Sequence, residues 1–255
     1  MRVIPLGVGG AFTDRFYQTN YLVEFPGQRL LIDAGTTLRY SLPAAGYTVK
    51  DITGIVLTHF HSDHAGGLEE LSQRCRFLYQ YRPAIYAMPD QVPLLNSLFA
   101  LHGTKPGDYL EVQGVQSDSQ LLAAAQDGTE YRLEYYATHG LHAEVTSNYI
   151  VAIHRSGGGK EAVRIVFTGD LGPIEKSALG RLAADPATAA IFHDCFTGAK
   201  PSPAHPSIEQ IENFYPTELR RKLFAIHYAD TVEEVSERLL KSGLQIAQQG
   251  KSYEW

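Results

Sequence analysis

The chain has 255 residues, 44% of them hydrophobic, enough to bury one substantial core. A formal net charge of −6 argues against the broad basic surface that holds long nucleic acids, and two cysteines, Cys75 and Cys195, are too few for a disulfide framework. No window approaches the roughly 18 consecutive apolar residues of a membrane span, and the opening Met1-Arg2-Val3-Ile4-Pro5-Leu6-Gly7 lacks the apolar core of a secretory signal, so a cytoplasmic protein with one domain over residues 1–255 is expected.

The chain opens with strands at Val3 to Val8, Asn20 to Phe25 and Leu30 to Asp33, the last two joined by a Pro26-Gly27 turn. Thr37 to Ala45 carries apolar residues at helical spacing, and Val49 to Leu57 reads as a strand entering a histidine-rich loop. Gly66-Gly67 allows a tight turn before a helix opens at Leu68. Ile85 to Met88 is strand-like and Val92 to Leu101 helical. Three further strands follow, Tyr131 to Ala137, Asn148 to Ile153 and Ala162 to Thr168, with Gly157-Gly158-Gly159 as a hairpin loop. Ile174 to Ala184 and Ile208 to Phe214 read as helices, Ala189 to Asp194 and Lys222 to Ile226 as strands, and Val232 to Leu240 as an amphipathic helix. Strands and helices recur twice, with polar ligand-type residues where strands end. This order predicts an α/β fold, an αββα sandwich of two packed mixed sheets flanked by helices.

Thr58-His59-Phe60-His61-Ser62-Asp63-His64-Ala65-Gly66-Gly67 holds three histidines and an aspartate in six positions. Alternate residues of an extended segment point the same way, so His59 and His61 can reach one ion while Asp63 and His64, past the turn, serve a neighbour. Two ions need about seven or eight donors, and three more candidates sit where strands run out: His139, Asp170 and His227. A carboxylate has two oxygens and can bridge two cations, which makes Asp170 the predicted bridge. The predicted sets are His59, His61, His139 and Asp170 for one ion, and Asp63, His64, Asp170 and His227 for the other. His142, in the loop after His139, is read as a substrate contact.

These residues resemble the metallo-β-lactamase superfamily of metallohydrolases over nearly the whole chain, including Asp33 in Leu31-Ile32-Asp33-Ala34-Gly35 and the run Phe167-Thr168-Gly169-Asp170. The resemblance implies two Zn2+ ions, with Mn2+ or Fe compatible with the same donors, and a supporting role for Asp33, beside Thr58, in orienting the ligand loop. A hydroxide shared by two cations is nucleophilic at neutral pH and serves esters, amides, thioesters and phosphodiesters alike. Residues beyond the ligands must choose among these.

Phe192-His193-Asp194-Cys195-Phe196-Thr197 and Ala204-His205-Pro206-Ser207 are similar to the His-Glu-Ala-Thr and His-Ser-Thr segments of RNase Z-like phosphodiesterases, with Asp194 in place of Glu. Carried over, Asp194 orients His205 as a proton donor to a leaving oxygen, Asp63 manages the water's proton, His193 supports the site and Asn20 lies near substrate. From His139 to Asp170 is a span of 31 positions, too short for the protruding arm of tRNA-processing members. The likeness therefore points to cyclic-nucleotide phosphodiesterases such as the anti-Pycsar enzymes, acting on a small anionic substrate as homodimers. The alternatives are lactone, thioester or ester hydrolysis on the same metals, tRNA 3′ processing, and a non-catalytic nucleotide-binding protein.

Overall fold

The structure is a computed structural model that describes residues 1–198, 200 and 202–255. In chain order the first half contains β1 (Arg2–Gly7), β2 (Asn20–Phe25), β3 (Gln28–Ile32), α1 (Leu38–Ala44), β4 (Gly54–Val56), α2 (Ser62–Ala65), α3 (Leu68–Tyr79), β5 (Ala84–Ala87), α4 (Gln91–Ala100), α5 (Pro106–Tyr109) and β6 (Glu111–Gly114). The second contains β7 (Ser119–Ala124), β8 (Thr129–Ala137), β9 (Tyr149–Gly157), β10 (Val163–Phe167), α6 (Leu179–Ala184), β11 (Thr188–Asp194), α7 (Ile208–Phe214), α8 (Thr217–Arg220), β12 (Leu223–Ile226), α9 (Val232–Lys241), β13 (Gln245–Ile246) and β14 (Tyr253–Glu254).

Two seven-stranded sheets result, ordered β14-β1-β2-β3-β4-β5-β6 and β13-β12-β11-β10-β9-β8-β7. Each begins with antiparallel pairs and continues in parallel, from β3 to β6 in one and from β10 to β13 in the other. This is the mixed αββα sandwich that the element order predicts. Alternation along the strands divides the core. Val3, Tyr21, Val23, Leu30, Ile32 and Val56 face the second sheet, whereas Ile4, Leu22, Leu31 and Ile55 pack with residues of α1 and α3. Aromatic rings bridge the sheets, with Phe25 stacked on Tyr131 at 4.7 Å and Tyr21 tilted against Phe167 at 4.8 Å.

The segment read as a strand from Val49 to Leu57 is instead a 3-10 turn over Val49–Asp51 followed by β4. Asp51 accepts the Thr48 N–H at 2.8 Å and its hydroxyl at 2.9 Å, which closes the turn and delays the strand. Ile174 to Ala184 likewise divides into a 3-10 turn over Ile174–Lys176 and α6. Strands β6, β7, β13 and β14 have no counterpart in the sequence reading. The first two are sheet edges with no fully buried position, and the last two are two-residue pairings, so none carries a period-2 signal. Among the described residues no helix is long and apolar enough to cross a membrane.

Candidate metal centre and active site

The parallel strands of both sheets deliver their carboxyl ends to one edge of the sandwich. Asp33 follows β3, the histidine loop follows β4, Asp170 follows β10, Asp194 ends β11 and His227 follows β12. Such edges are where α/β folds place ligands, because successive loops converge there. Three non-glycine residues, Asp33 (φ 63°), Ala143 (φ 44°) and His227 (φ 56°), hold left-handed backbone at this edge. Strain of this kind persists where the surrounding structure dictates it, as at functional sites.

Around Asp170 the donor atoms fall into two groups. On its Oδ2 side, His142 Nε2 lies 3.5 Å away and His59 Nε2 3.8 Å, with His61 Nδ1 3.1 Å from His142 Nε2. On its Oδ1 side, His64 Nε2 lies at 3.1 Å and His227 Nε2 at 3.4 Å, each 3.3 Å from Asp63 Oδ2. Four donors at about 2.0–2.1 Å from a tetrahedral ion stand about 3.3 Å from one another, so these separations suit two cations sharing one carboxylate. A second observation agrees. His59 Nε2, His64 Nε2 and Asp170 Oδ1 are buried and, among the described residues, meet no partner in hydrogen-bond geometry, although carboxylates lie within reach. Buried polar atoms are rarely left so, and cations in the two donor sets would satisfy all three.

The supporting contacts set the tautomers. Asp33 accepts the Thr58 N–H at 2.7 Å, the Thr58 hydroxyl at 2.9 Å and His64 Nδ1 at 2.8 Å, while His59 Nδ1 lies 3.1 Å from the Thr58 hydroxyl oxygen. His142 Nδ1 donates to the Ala204 carbonyl at 2.9 Å. Each imidazole thus keeps a ring nitrogen for the centre. Burial, with the neighbouring His64, pushes His59 well below its ordinary value, so its free nitrogen carries a lone pair. Burial opposes the charges of Asp63 and Asp170, yet the surrounding imidazoles hold both carboxyls below the usual range.

The third histidine differs from the sequence expectation. His142, not His139, stands beside His61 and Asp170, with its side chain 3% exposed against 41% for His139. His139 leaves β8 pointing outward, where its Nδ1 accepts the Asn148 N–H at 3.1 Å and its Nε2 lies 3.7 Å from Asp90. A turn closed from Leu141 N–H to the Thr138 carbonyl at 3.0 Å carries the chain back and brings His142 inward. His142, anticipated as a substrate contact, is thus placed among the ligand-type side chains.

Asn20, expected near substrate, is placed differently. It is fully buried, donates to the Gln18 carbonyl at 2.7 Å and meets Ser41 at 3.4 Å, so it braces the start of β2 and does not face the centre. His193 points the other way along β11, with Nδ1 2.6 Å from the Asp194 carbonyl and Nε2 3.0 Å from the Tyr215 hydroxyl. It tethers Tyr215 and touches none of the ligand side chains.

Asp194 and His205 do meet. Asp194 Oδ2 accepts His205 Nδ1 at 2.8 Å and the Leu171 N–H at 3.0 Å, and its Oδ1 lies 3.7 Å from His227 Nδ1. The shorter carboxylate side chain thus spans the gap to His205. The His205 ring stacks on His227 at 4.8 Å and lies 5.0 Å from His142, which places it at the margin of the donor cluster. Burial works against its charge, but the Asp194 carboxylate raises it to about 9.

Close backbone approach holds the two halves of the centre together at Gly169, whose φ is 58° and where an added Cβ would stand 2.8 Å from the Thr58 Cβ. Gly169→Ala is therefore expected to lower stability by about 1–3 kcal/mol and to displace the Thr58 contacts, read as a lower urea midpoint together with weaker metal retention. An unchanged midpoint would show that the loop tolerates the side chain.

Fold and donor cluster together define a metal-dependent hydrolase of the metallo-β-lactamase fold. Two solved structures superpose along the full length of this chain. A diphosphatase from the PhnP family gives a TM-score of 0.73 at 19% identity over 97% of its own chain, and the metallo-β-lactamase fold protein YhfI from Bacillus subtilis gives 0.71 at 18% over 99%. The chain belongs to the family described as Anti-Pycsar protein Apyc1, which matches residues 1–253. Its relatives include proteins of that name from Bacillus phage 010DV004, 29% identical with 99% of this chain and 98% of the relative aligned, and from Paenibacillus xerothermodurans, 26% identical over 99% and 97%.

Proposed function

We propose that this protein hydrolyses a small phosphodiester, a cyclic mononucleotide, to the linear monophosphate, using two divalent cations of which Zn2+ suits the donors best. The observation that carries the reading is the Asp194–His205 pair, 2.8 Å apart and set against His227 at the edge of the donor cluster. An alkoxide leaving phosphorus is strongly basic, and a protonated imidazole held at the margin of the donor cluster is placed to neutralise it. Membership of a family named for anti-Pycsar proteins supports the same substrate class.

Cations held between the two donor sets supply a nucleophilic water at neutral pH and offset charge on the phosphoryl group. His59, His61 and His142 would hold one, Asp63, His64 and His227 the other, and Asp170 would bridge them. Asp63, whose Oδ2 lies 3.3 Å from both His64 Nε2 and His227 Nε2 in the second donor set, would orient the attacking water and accept the proton it gives up. His205, fixed through Nδ1 by Asp194, presents its other nitrogen and protonates the departing sugar oxygen as the P–O bond breaks. Water adds across one phosphodiester bond, and the products are a phosphomonoester and a free hydroxyl.

Metal-loaded protein is expected to release linear nucleotide from at least one member of a cyclic mononucleotide panel. His205→Ala is expected to slow that release by roughly 100-fold or more, the scale of one general acid, while leaving any hydrolysis of activated esters, whose weakly basic leaving groups need no proton, nearly unchanged. If no cyclic nucleotide turns over while a lactone does, the phosphodiester reading is wrong.

A further inference from the structure

Phe12 lies outside everything assigned so far. The residue is 99% exposed, yet the turn that carries it is firmly fastened. The Asp230 carboxylate accepts the Thr13 hydroxyl, the Asp14 N–H at 3.0 Å and the Arg15 N–H at 3.1 Å. Arg15 adds a two-pronged contact to Glu233 at 2.7 and 2.8 Å. Gly10, whose N–H donates to the Tyr228 carbonyl at 3.1 Å, lies so near His227 that an added Cβ would come within 3.2 Å of its ring. The aromatic ring is thus displayed by a braced turn anchored on the segment that carries His227.

Phe12 rims a cavity of about 380 Å3. Phe196, Tyr228 and Ala229 form other walls, and the cavity opens directly onto His205 and His227. The Phe196 ring runs nearly parallel to His205, 6.2 Å away at 19°. The space therefore has aromatic sides and touches the candidate proton donor. Its size falls in the range of small-molecule pockets, and its lining suits a flat, weakly polar ring better than a sugar or a second phosphate. A leaving oxygen placed at His205 belongs to the sugar, so the group beyond the sugar is what such a cavity would receive.

We infer that Phe12 and Phe196 form a stacking subsite for the heteroaromatic base of the substrate, with Phe12 held ready by the Asp230 clasp. The inference rests on the phosphodiesterase reading, and its test separates the two. Each base–aromatic stack is commonly worth a tenfold or larger change in affinity on truncation to alanine. With metal-loaded full-length protein, Phe12→Ala is expected to raise KM for a pyrimidine 3′,5′-cyclic nucleotide about tenfold, with kcat altered less than about threefold. KM for base-free ribose 3′,5′-cyclic phosphate should shift less than about twofold, and Phe12→Trp should restore the nucleotide value. Free cytidine or uridine, followed by saturation-transfer NMR, should contact aromatic protons in the unaltered protein and lose that contact in Phe12→Ala; this readout needs no turnover. Equal KM changes for both cyclic phosphates would overturn the subsite while leaving the phosphodiesterase reading intact. So would a shift from dimer to monomer in sedimentation with nucleoside contact retained, because Phe12 would then be a subunit contact. If neither cyclic phosphate is cleaved, the phosphodiesterase reading fails, and nucleoside contact at Phe12 alone decides the subsite.

Discussion

His142→Ala is expected to strip the protein of at least part of its divalent metal and to lower kcat/KM by more than about 100-fold, whereas His139→Ala is expected to stay within about threefold of the unaltered protein. The two residues are three apart in one loop, so the comparison isolates geometry from chain position. His142 Nε2 lies 3.5 Å from Asp170 and 3.1 Å from His61, and its Nδ1 is tied to the Ala204 carbonyl. Loss of partners that merely orient metal ligands typically costs 10–100-fold, and a donor should cost more. His139, half exposed and facing Asp90, is a surface substitution of the kind that usually shifts stability by no more than about 0.5 kcal/mol. Metal content after dialysis, read by inductively coupled plasma mass spectrometry, together with turnover of the best cyclic nucleotide, checks both halves. Metal loss in His139→Ala with full occupancy in His142→Ala would reverse the ligand assignment.

Arg164→Met is expected to destabilise the fold by roughly 3–5 kcal/mol, the usual result of removing one partner from a buried ion pair. Arg164 of β10 donates to Glu134 of β8 at 2.8 Å across the intervening β9, and His154 of β9 lies 3.0 Å from the same carboxylate. Both members of the pair are 9% exposed, so the Glu134 charge left behind would have little water to turn to. Burial alone would raise Glu134, but hydrogen bonds from His154, Arg164 and Tyr136 lower it from 4.5 to about 2. A depressed carboxyl contributes stability that is complete above about pH 4.5 and is lost as the pH falls toward about 2. The stability gap between Arg164→Met and the unaltered protein should therefore narrow as the pH drops through that window, measured by urea unfolding at several pH values. Glu134→Gln in the Arg164→Met background should recover part of the loss, because no buried charge then remains. A pH-independent gap would mean that packing of the arginine stem, not the ion pair, sets the cost.

Much of the centre could be read in one dimension because it sits where strands end. His59, His61, Asp63 and His64 are close in sequence, and Asp170 and His227 each follow an apolar run, which is a one-dimensional trace of strands reaching a common edge. The third histidine could not be chosen that way. His139 and His142 both lie in the loop after β8, and only the turn closed at Thr138, with the Ala204 carbonyl waiting across the loop, selects the second. The one sequence signal for it is Gly140, whose φ of 71° marks the reversal before His142. Phe12 carried no linear signal either, since an aromatic residue in Gly9-Gly10-Ala11-Phe12 reads as part of an ordinary turn. Its meaning comes from Phe196, which lies far along the chain and lines the same cavity.

By itself the sequence determined the αββα arrangement, the cluster from His59 to His64, and Asp170 as a carboxylate shared between two donor sets. The first follows from the order of periodic segments, the second from residues adjacent in the chain, and the third from a carboxylate placed where an apolar run ends. The tertiary structure decided that His142 and not His139 stands beside His61 and Asp170, that Asn20 meets Gln18 and Ser41 and His193 meets Tyr215, and that Asp194 reaches His205. Each of these turns on where a loop points its side chains. Loop direction is set by hydrogen bonds to residues distant in the chain, and no periodic pattern records them.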